Sequence, residues 1–334
     1  MTYSSDRTQE RTSCIIVGGG ITGLITATIL QRRGISVTVL DKGRGIGGRL
    51  ATRRVNHEDS IEGVFDYGTQ YFSVKNSQFQ TWVDDWLEQG VIKEWCQGFG
   101  EADGKPRYCG VEGTRGIAKY LAQELNVQTN TKVVEINYDG HWLVQTEAQQ
   151  YEGEMLLLTM PVPQALDLLD ASLIVLPLDF RFALENITYN PCITVLALLE
   201  QQSNIPAPGG IALEDGCLVW LADNHQKGIS PNGYAVTLHA SPSFSEDYWN
   251  SDDAEIAYKL LTAAADYLAA PVIKYQVHRW RYSQPKTFHT EPYFALSEIP
   301  LIMAGDGFVA PKVEGAVLSG IAAGELISKR FQGK

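Results

Sequence analysis

Cysteine is scarce and scattered in this chain of 334 residues. Five occur, Cys14, Cys96, Cys109, Cys192 and Cys217, an odd number with no C-x-x-C spacing. That pattern excludes a disulfide framework and a zinc site, and no other metal site is expected; a reducing cytoplasm fits. Basic excess is also missing. Lys and Arg total 27 against 39 Asp and Glu, a net charge of −12. Nucleic acid and an anionic membrane are thereby excluded as main partners. There is no repeat, low-complexity tract, coiled coil or basic amphipathic helix, and no pattern that implies a protein partner. A membrane span is lacking too. Thr12 to Gln31 is uncharged and follows Arg7 and Arg11, so it mimics a signal peptide, but four glycines interrupt it in an ordered pattern. Met1 to Ser13 is polar and is expected to be a disordered extension.

What is present begins at Ile15. Ile15 to Val17 reads as a short buried strand and runs into Gly18-Gly19-Gly20-Ile21-Thr22-Gly23, a G-x-G-x-x-G. A helix follows to Arg33, stopped by Gly34, and a second strand, Ile35 to Leu40, ends on Asp41. This strand–turn–helix–strand–acid unit predicts a Rossmann-type dinucleotide site. Gly18 allows the tight turn, Gly20 lets a pyrophosphate approach the backbone, and Gly23 lets the helix pack on the strand. Ile21 and Thr22 open the helix, whose N-terminal N–H groups favour phosphate charge. The Asp41 carboxylate suits a ribose diol and repels a 2′-phosphate.

The next residues choose the dinucleotide. Lys42-Gly43-Arg44-Gly45-Ile46-Gly47-Gly48-Arg49 is a second glycine cluster, which a simple NAD dehydrogenase does not need. Many flavoproteins carry R-x-x-G-G-R at this place, with Lys42, Gly48 and Arg49 beside the pyrophosphate. The expected cofactor is therefore FAD, held non-covalently, since no Cys or His stands in an attachment motif.

Further along, Phe65 to Phe72 alternates like a strand, with Gln70 and Tyr71 able to face a ring. Ser77 to Gly90 has helical spacing. Val127 to Tyr138 and His141 to Gln149 read as a hairpin around Asp139-Gly140, with Val133 a candidate for packing near an adenine. Met155 to Thr159 is a buried parallel strand ending in Thr159-Met160-Pro161, where open α/β sheets bind ligand. Strands then dominate from Ala171 to about Phe288, with one helix over Asp252 to Leu268. The chain returns through a strand at Leu301 to Ala304, Gly305-Asp306-Gly307, and a small-residue helix whose start includes Gly315 and Ala316. The fold class expected is α/β. A discontinuous Rossmann-type domain (residues 14–73, 110–165 and 289–331) is joined to an α+β substrate domain with an antiparallel sheet (74–109 and 166–288).

Together the segments IVGGGITG, DKGRGIGGR, DYGTQYF, VEGTRGIAKYL, LLTMPVPQ, NITYNPCITVLALLE, RWRYSQP and AGDGF resemble the renalase-like branch of the flavin amine oxidase superfamily. The resemblance spans nearly the whole chain after Ser13. It implies the two-domain architecture shared by amine oxidases and p-hydroxybenzoate hydroxylase. It places Gly18, Gly20, Gly23, Asp41, Arg49, Val133 and Asp306 where relatives contact FAD. Gln70, Tyr189, His239 and Trp280 fall where relatives shape the flavin-facing cavity, with Tyr71 and Trp220 as further liners. The superfamily's usual amine-site lysine has no identifiable counterpart, because Lys274, Lys286 and Lys312 lack the context.

The activity implied is oxidation of the 2- and 6-dihydro isomers of NAD(P)H. Hydride passes to the flavin and oxygen is reduced to hydrogen peroxide. Such a substrate needs an aromatic wall, for which Trp280 and Tyr189 are candidates, and polar anchors, for which Gln70 and His239 are candidates. The alternatives are an amine oxidase, a polyene desaturase-type enzyme, or a non-catalytic flavin-binding redox sensor.

Overall fold

A computed structural model describes residues 10–57, 61–100 and 103–333. The chain divides into two compact units. One comprises Met1–Gly48, Leu121–Thr188 and Thr287–Lys334; the other comprises Arg49–Tyr120 and Tyr189–Lys286.

The first unit is built on a mostly parallel sheet. The strands Glu10–Val17, Val37–Leu40, Asn126–Gln128, Gln150–Leu158 and Leu301–Met303 run parallel, with Glu10–Val17 between Gln150–Leu158 and Val37–Leu40. Their buried stretches, residues 15–17, 39–40, 156–158 and 301–302, are all Val, Ile or Leu because both sheet faces are covered. Cys14, Ile16, Val39, Leu157 and Ile302 share a core with Ala27, Leu30, Ala323 and Ile327 of the helices. The helices Ile21–Arg32 and Val313–Gln332 approach closely: a Cβ on Gly320 would lie 2.7 Å from the Thr22 carbonyl oxygen. Thr22 and Thr26 hydroxyls donate to the carbonyls of Ala316 and Gly320 at 2.9 and 2.8 Å, closing that interface with hydrogen bonds.

Register places the ends of four parallel strands side by side. Val17 pairs with Leu40 and Leu158, and Leu158 pairs with Met303. The residues that follow, Gly18, Asp41, Thr159 and Ala304, therefore emerge along one carboxyl edge.

The second unit is an antiparallel five-stranded sheet in the order Gly210–Ala212, Leu218–Asp223, Tyr234–Ala240, Tyr189–Leu199, Val272–Pro285. One face is packed by Phe244, Ile256, Leu260, Ala264 and Leu268 against Ile193, Val195, Leu221 and Leu238. The other face carries Trp220, His239, Thr194 and His278 as direct cross-strand neighbours.

Three sequence expectations change. Residues 10–13, expected to be disordered, lie in the first strand, where Glu10 to Thr12 pair with Tyr151 to Gly153; residues 1–9 fall outside the described residues. Backbone pairing needs no apolar side chain, so polarity hid the strand. Phe65–Phe72 is not one strand. The strand is Ile61–Asp66, and residues 67–71 are irregular: a Cβ on Gly68 would lie 2.2 Å from the Arg49 carbonyl oxygen, so the chain leaves the ladder there. The Asp252 to Leu268 helix is two helices, Asp253–Ala263 and Ala265–Leu268. The first division between the compact units falls at Gly48/Arg49. Phe65 and Val55 share a core with Leu196, Leu198 and Ala235 of the antiparallel sheet, which draws that hairpin into the second unit.

Candidate functional site

In the first unit the glycine turn has the shape its sequence requires. Gly18 sits at φ +119°, and a Cβ there would meet the Thr159 hydroxyl at 2.5 Å. Thr159 Oγ1 lies 2.9 Å from the Gly18 carbonyl oxygen, to which it donates. A Cβ on Gly23 would lie 2.1 Å from that same oxygen, so the helix start and the turn touch backbone to backbone. Gly20 differs: a Cβ there would meet nothing within 4 Å, and no side chain caps the helix that begins at Ile21. Open space beside uncapped helix N–H groups is what a pyrophosphate requires.

The second glycine cluster lies against the first. Gly20 bridges to Gly47, the Gly47 N–H donates to the Gly19 carbonyl at 2.8 Å, and Gly48 has φ +54°. Each Asp41 oxygen accepts one backbone N–H at 2.6 Å, Oδ2 from Gly19 and Oδ1 from Gly43. Both oxygens keep lone pairs for a ribose diol. Lys42 follows Asp41 directly. Pro161 precedes the helix Val162–Ala171, and Val133 starts the strand Val133–Tyr138. Gly305, whose N–H donates to Ser319 Oγ at 2.9 Å, and Asp306 follow the Leu301–Met303 strand, and Gly315 and Ala316 lie in the first turn of the last helix. These residues fit an FAD: a turn whose Gly18 and Gly23 admit no larger side chain, open space beside Gly20, a positive helix end and an acid for the ribose.

In the second unit Gln70 lies beside His239, and His239 and Trp280 meet at one backbone carbonyl, that of Tyr67. Trp280 Nε1–H donates to it at 2.9 Å, His239 Nε2 lies 3.2 Å away, and Thr194 Oγ1 donates at 3.4 Å. A carbonyl only accepts, so His239 carries its hydrogen on Nε2. Burial pushes the His239 pKa down to about 4, which leaves the ring neutral at pH 7. The Trp280 ring also stacks on Tyr67, with centroids 5.2 Å apart at 26°. Arg53 lies 4.6 Å over the Tyr67 ring.

Gln70 is 6% exposed. Its Nε2 donates to the carbonyls of Asp66 and Gly68 at 2.6 and 3.2 Å, and lies 3.4 Å from His239 Nε2. Its Oε1 is buried and has no partner. Tyr71 belongs to an aromatic group with Trp95, Phe99 and Trp220, with centroids 4.8 to 6.5 Å apart. Tyr189 stands elsewhere, edge-on to Tyr282 at 5.6 Å with the Arg49 guanidinium 5.9 Å from its centroid. Arg49 itself donates to the carbonyls of Tyr282 and Ser283 at 3.2 and 3.3 Å.

Sequence reasoning missed Lys227. Its ammonium is fully buried, 2.7 Å from Asp66 Oδ2, 2.5 Å from the Gln70 carbonyl oxygen and 4.9 Å over the Trp95 ring. Asp66 Oδ1 accepts from the Thr52 hydroxyl, the Thr114 N–H and the Thr114 hydroxyl at 2.6, 2.9 and 3.1 Å. The signal available was Asp223 closing the Leu218–Asp223 strand. Its Oδ1 accepts the N–H groups of His225 and Gln226 at 2.9 and 3.0 Å, and this aspartate turn swings Lys227 inward. Lys274, by contrast, donates to the Asn56 carbonyl in an exposed bond. No group of three or more His, Cys, Asp or Glu among the described residues can hold a metal.

The fold and the glycine cradle define a two-unit dinucleotide-binding flavoprotein. Residues 16–86 match the NAD(P)-binding Rossmann-like domain, and residues 91–328 match the flavin containing amine oxidoreductase family. The second match covers more than half of the chain, which therefore belongs to that family, and its cofactor is non-covalently bound FAD. Among solved structures the chain is similar to a putrescine oxidase triple mutant (13% identity, 97% of this chain and 99% of that one, TM-score 0.72). Cyclohexylamine oxidase from Brevibacterium oxydans IH-35A (14%, 96% and 99%, 0.70) and the CLA-producing fatty acid isomerase from P. acnes (13%, 96% and 99%, 0.68) share the architecture. At these identities the likeness concerns the fold. No described helix is long and apolar enough to cross a membrane.

Proposed function

We propose that this flavin oxidoreductase oxidises the 2- and 6-dihydro isomers of NAD(P)H to NAD(P)+ in a reducing cytoplasm, with oxygen as the acceptor. The observation that carries this reading is the commitment of Lys227. Among the described residues it is the one buried lysine, and its ammonium is occupied by Asp66, by the Gln70 carbonyl and by the Trp95 face. That leaves no buried lysine among the described residues free to serve an amine site. A dihydronicotinamide needs none: it loses a hydride and becomes aromatic, with no N–H proton to remove. When bound, FAD supplies the hydride acceptor and is reoxidised by oxygen, which takes up the two electrons and two protons as hydrogen peroxide.

The chain's own residues then bind and orient. Gly18, Gly20, Gly23, Asp41 and the Thr159 to Pro161 edge hold the dinucleotide, joined by Ile21, Thr22, Lys42, Gly48, Arg49, Val133, Gly305, Asp306, Gly315 and Ala316. Trp280, fixed through the Tyr67 carbonyl, offers an aromatic face. Gln70, with Tyr71 beside it, and His239 offer polar groups, and Tyr189 a second ring.

Amine oxidation is the second reading, favoured by the aromatic group around Tyr71. Its Trp95–Phe99 and Phe99–Trp220 rings pack edge to face at 5.0 and 4.8 Å, and Lys227 already sets an ammonium over Trp95. The chain thus supplies its own cation there. The test is peroxide release. Borohydride-made NADH isomers should yield one peroxide per NAD+ formed, while putrescine and cyclohexylamine yield none; turnover of the amines alone would reverse the assignment.

A further inference from the structure

The Lys227–Asp66 pair poses an energetic question. Burying two charges costs several kcal/mol per ion before their attraction offsets it, and apolar replacements of such pairs are often neutral or stabilising. Pairs of this kind persist where they fix one geometry. Here the geometry is a closed circuit. Lys227 Nζ donates to Asp66 Oδ2 and to the Gln70 carbonyl. Gln70 Nε2 donates back to the Asp66 carbonyl, which also accepts from Thr237 Oγ1 at 2.9 Å. The five residues from Asp66 to Gln70 are thereby held at both ends, and both amide hydrogens of Gln70 are spent on the Asp66 and Gly68 carbonyls. Reversing the amide would set Oε1 against those two oxygens, so one orientation is enforced. What it leaves over is Gln70 Oε1, an acceptor shielded from water and unpartnered. Such a group is destabilising until an incoming N–H pairs with it.

We infer that Lys227 is a positioning residue. With Asp66 it aims Gln70 Oε1 at an N–H on the substrate ring, so that the site selects ring substituents able to donate a hydrogen bond. This rests on the proposed dihydronicotinamide substrate, whose carboxamide NH2 is such a donor. A 3-acetyl group keeps the carbonyl and lacks the N–H. A site built to pair an N–H rejects the analogue that lacks it.

The experiment measures binding of NAD+ and of its 3-acetylpyridine analogue to oxidised holoenzyme by calorimetry. Wild type should favour NAD+ by about tenfold or more. Gln70→Leu and Lys227→Met should each bring the ratio to within about twofold of unity. Because Lys227→Met leaves Asp66 unpaired, the double variant Lys227→Met with Asp66→Asn removes both charges together and should fold with the ratio equally lost. Lys227→Met should raise the KM for dihydro isomers more than it lowers kcat, whereas a merely structural role lowers stability and leaves the ratio intact. A wild-type ratio near one, no measurable binding of either nucleotide at millimolar concentration, or a tenfold ratio kept in the folded double variant overturns the inference. Isomers that reduce the flavin without such discrimination defeat this inference alone. Discrimination by a holoenzyme that no isomer reduces defeats the proposed reaction alone.

Discussion

Asp41 ties two glycine loops together with one carboxylate, taking the Gly19 N–H on Oδ2 and the Gly43 N–H on Oδ1, both at 2.6 Å. Asp41, which we propose holds the ribose, is thus also the clasp that shapes the cradle. Asp41→Ala should weaken FAD by about 10- to 100-fold, the loss of charge-assisted hydrogen bonds. Asp41→Asn should fall between, since one amide oxygen still accepts. Titration of flavin fluorescence into apoprotein measures both.

Gly20 and Gly23 separate the two demands of the turn. A Cβ on Gly23 strikes the Gly18 carbonyl at 2.1 Å, so Gly23→Ala should cost about 1–3 kcal/mol or more, read by chemical denaturation of the apoprotein. A Cβ on Gly20 strikes nothing in the protein. Gly20→Ala should leave the apoprotein as stable as wild type and weaken FAD at least tenfold, because the space it fills belongs to the pyrophosphate. Equal loss of apoprotein stability in both variants would contradict this assignment.

Two histidines make the fold acid-sensitive. Burial, as the main cause, holds both His239 and His278 at about 4, below their ordinary 6.5. Between about pH 4 and 6.5 the unfolded chain binds more protons than the native one, so stability is fully present above about 6.5 and falls as pH drops towards 4. His239 alone accounts for up to about 3 kcal/mol of that loss. His239→Asn should flatten the dependence, followed by urea midpoints at several pH values. Neither ring titrates near neutrality, so flavin reduction rates should show no inflection across roughly pH 6–8.

Trp280 combines a stack on Tyr67 with a hydrogen bond to its carbonyl. Trp280→Phe keeps the ring and loses the bond, about 1 kcal/mol, and should slow flavin reduction several-fold with FAD retained. Trp280→Ala should slow it further. A wild-type reduction rate in the alanine variant would remove Trp280 from the substrate site.

The glycine turn was legible in the sequence because all its parts lie within Gly18 to Arg49, where Gly18 and Gly23 answer local steric needs. The four strand ends at one edge were legible as separate endings, Val17-Gly18, Leu40-Asp41, Thr159-Met160-Pro161 and Gly305-Asp306, once a parallel sheet was expected. The second unit was less so. Gln70, His239 and Trp280 could be named, but the backbone carbonyls that hold them, of Tyr67 for His239 and Trp280 and of Asp66 and Gly68 for Gln70, leave no mark on the sequence. Lys227 is 161 positions from Asp66 and has no motif spacing to it. Such a pair is visible only when the Ile61–Asp66 hairpin strand and the Asp223 turn are folded together.

The proposed dihydropyridine reaction is tested most directly by anaerobic mixing of the oxidised holoenzyme with borohydride-made NADH isomers, following flavin absorbance in a stopped-flow instrument. The account predicts that the flavin bleaches within seconds with the 2- and 6-dihydro isomers, in stoichiometric yield of NAD+, and stays oxidised with ordinary 4-NADH. Bleaching by 4-NADH alone, or by an amine and none of the isomers, would contradict it.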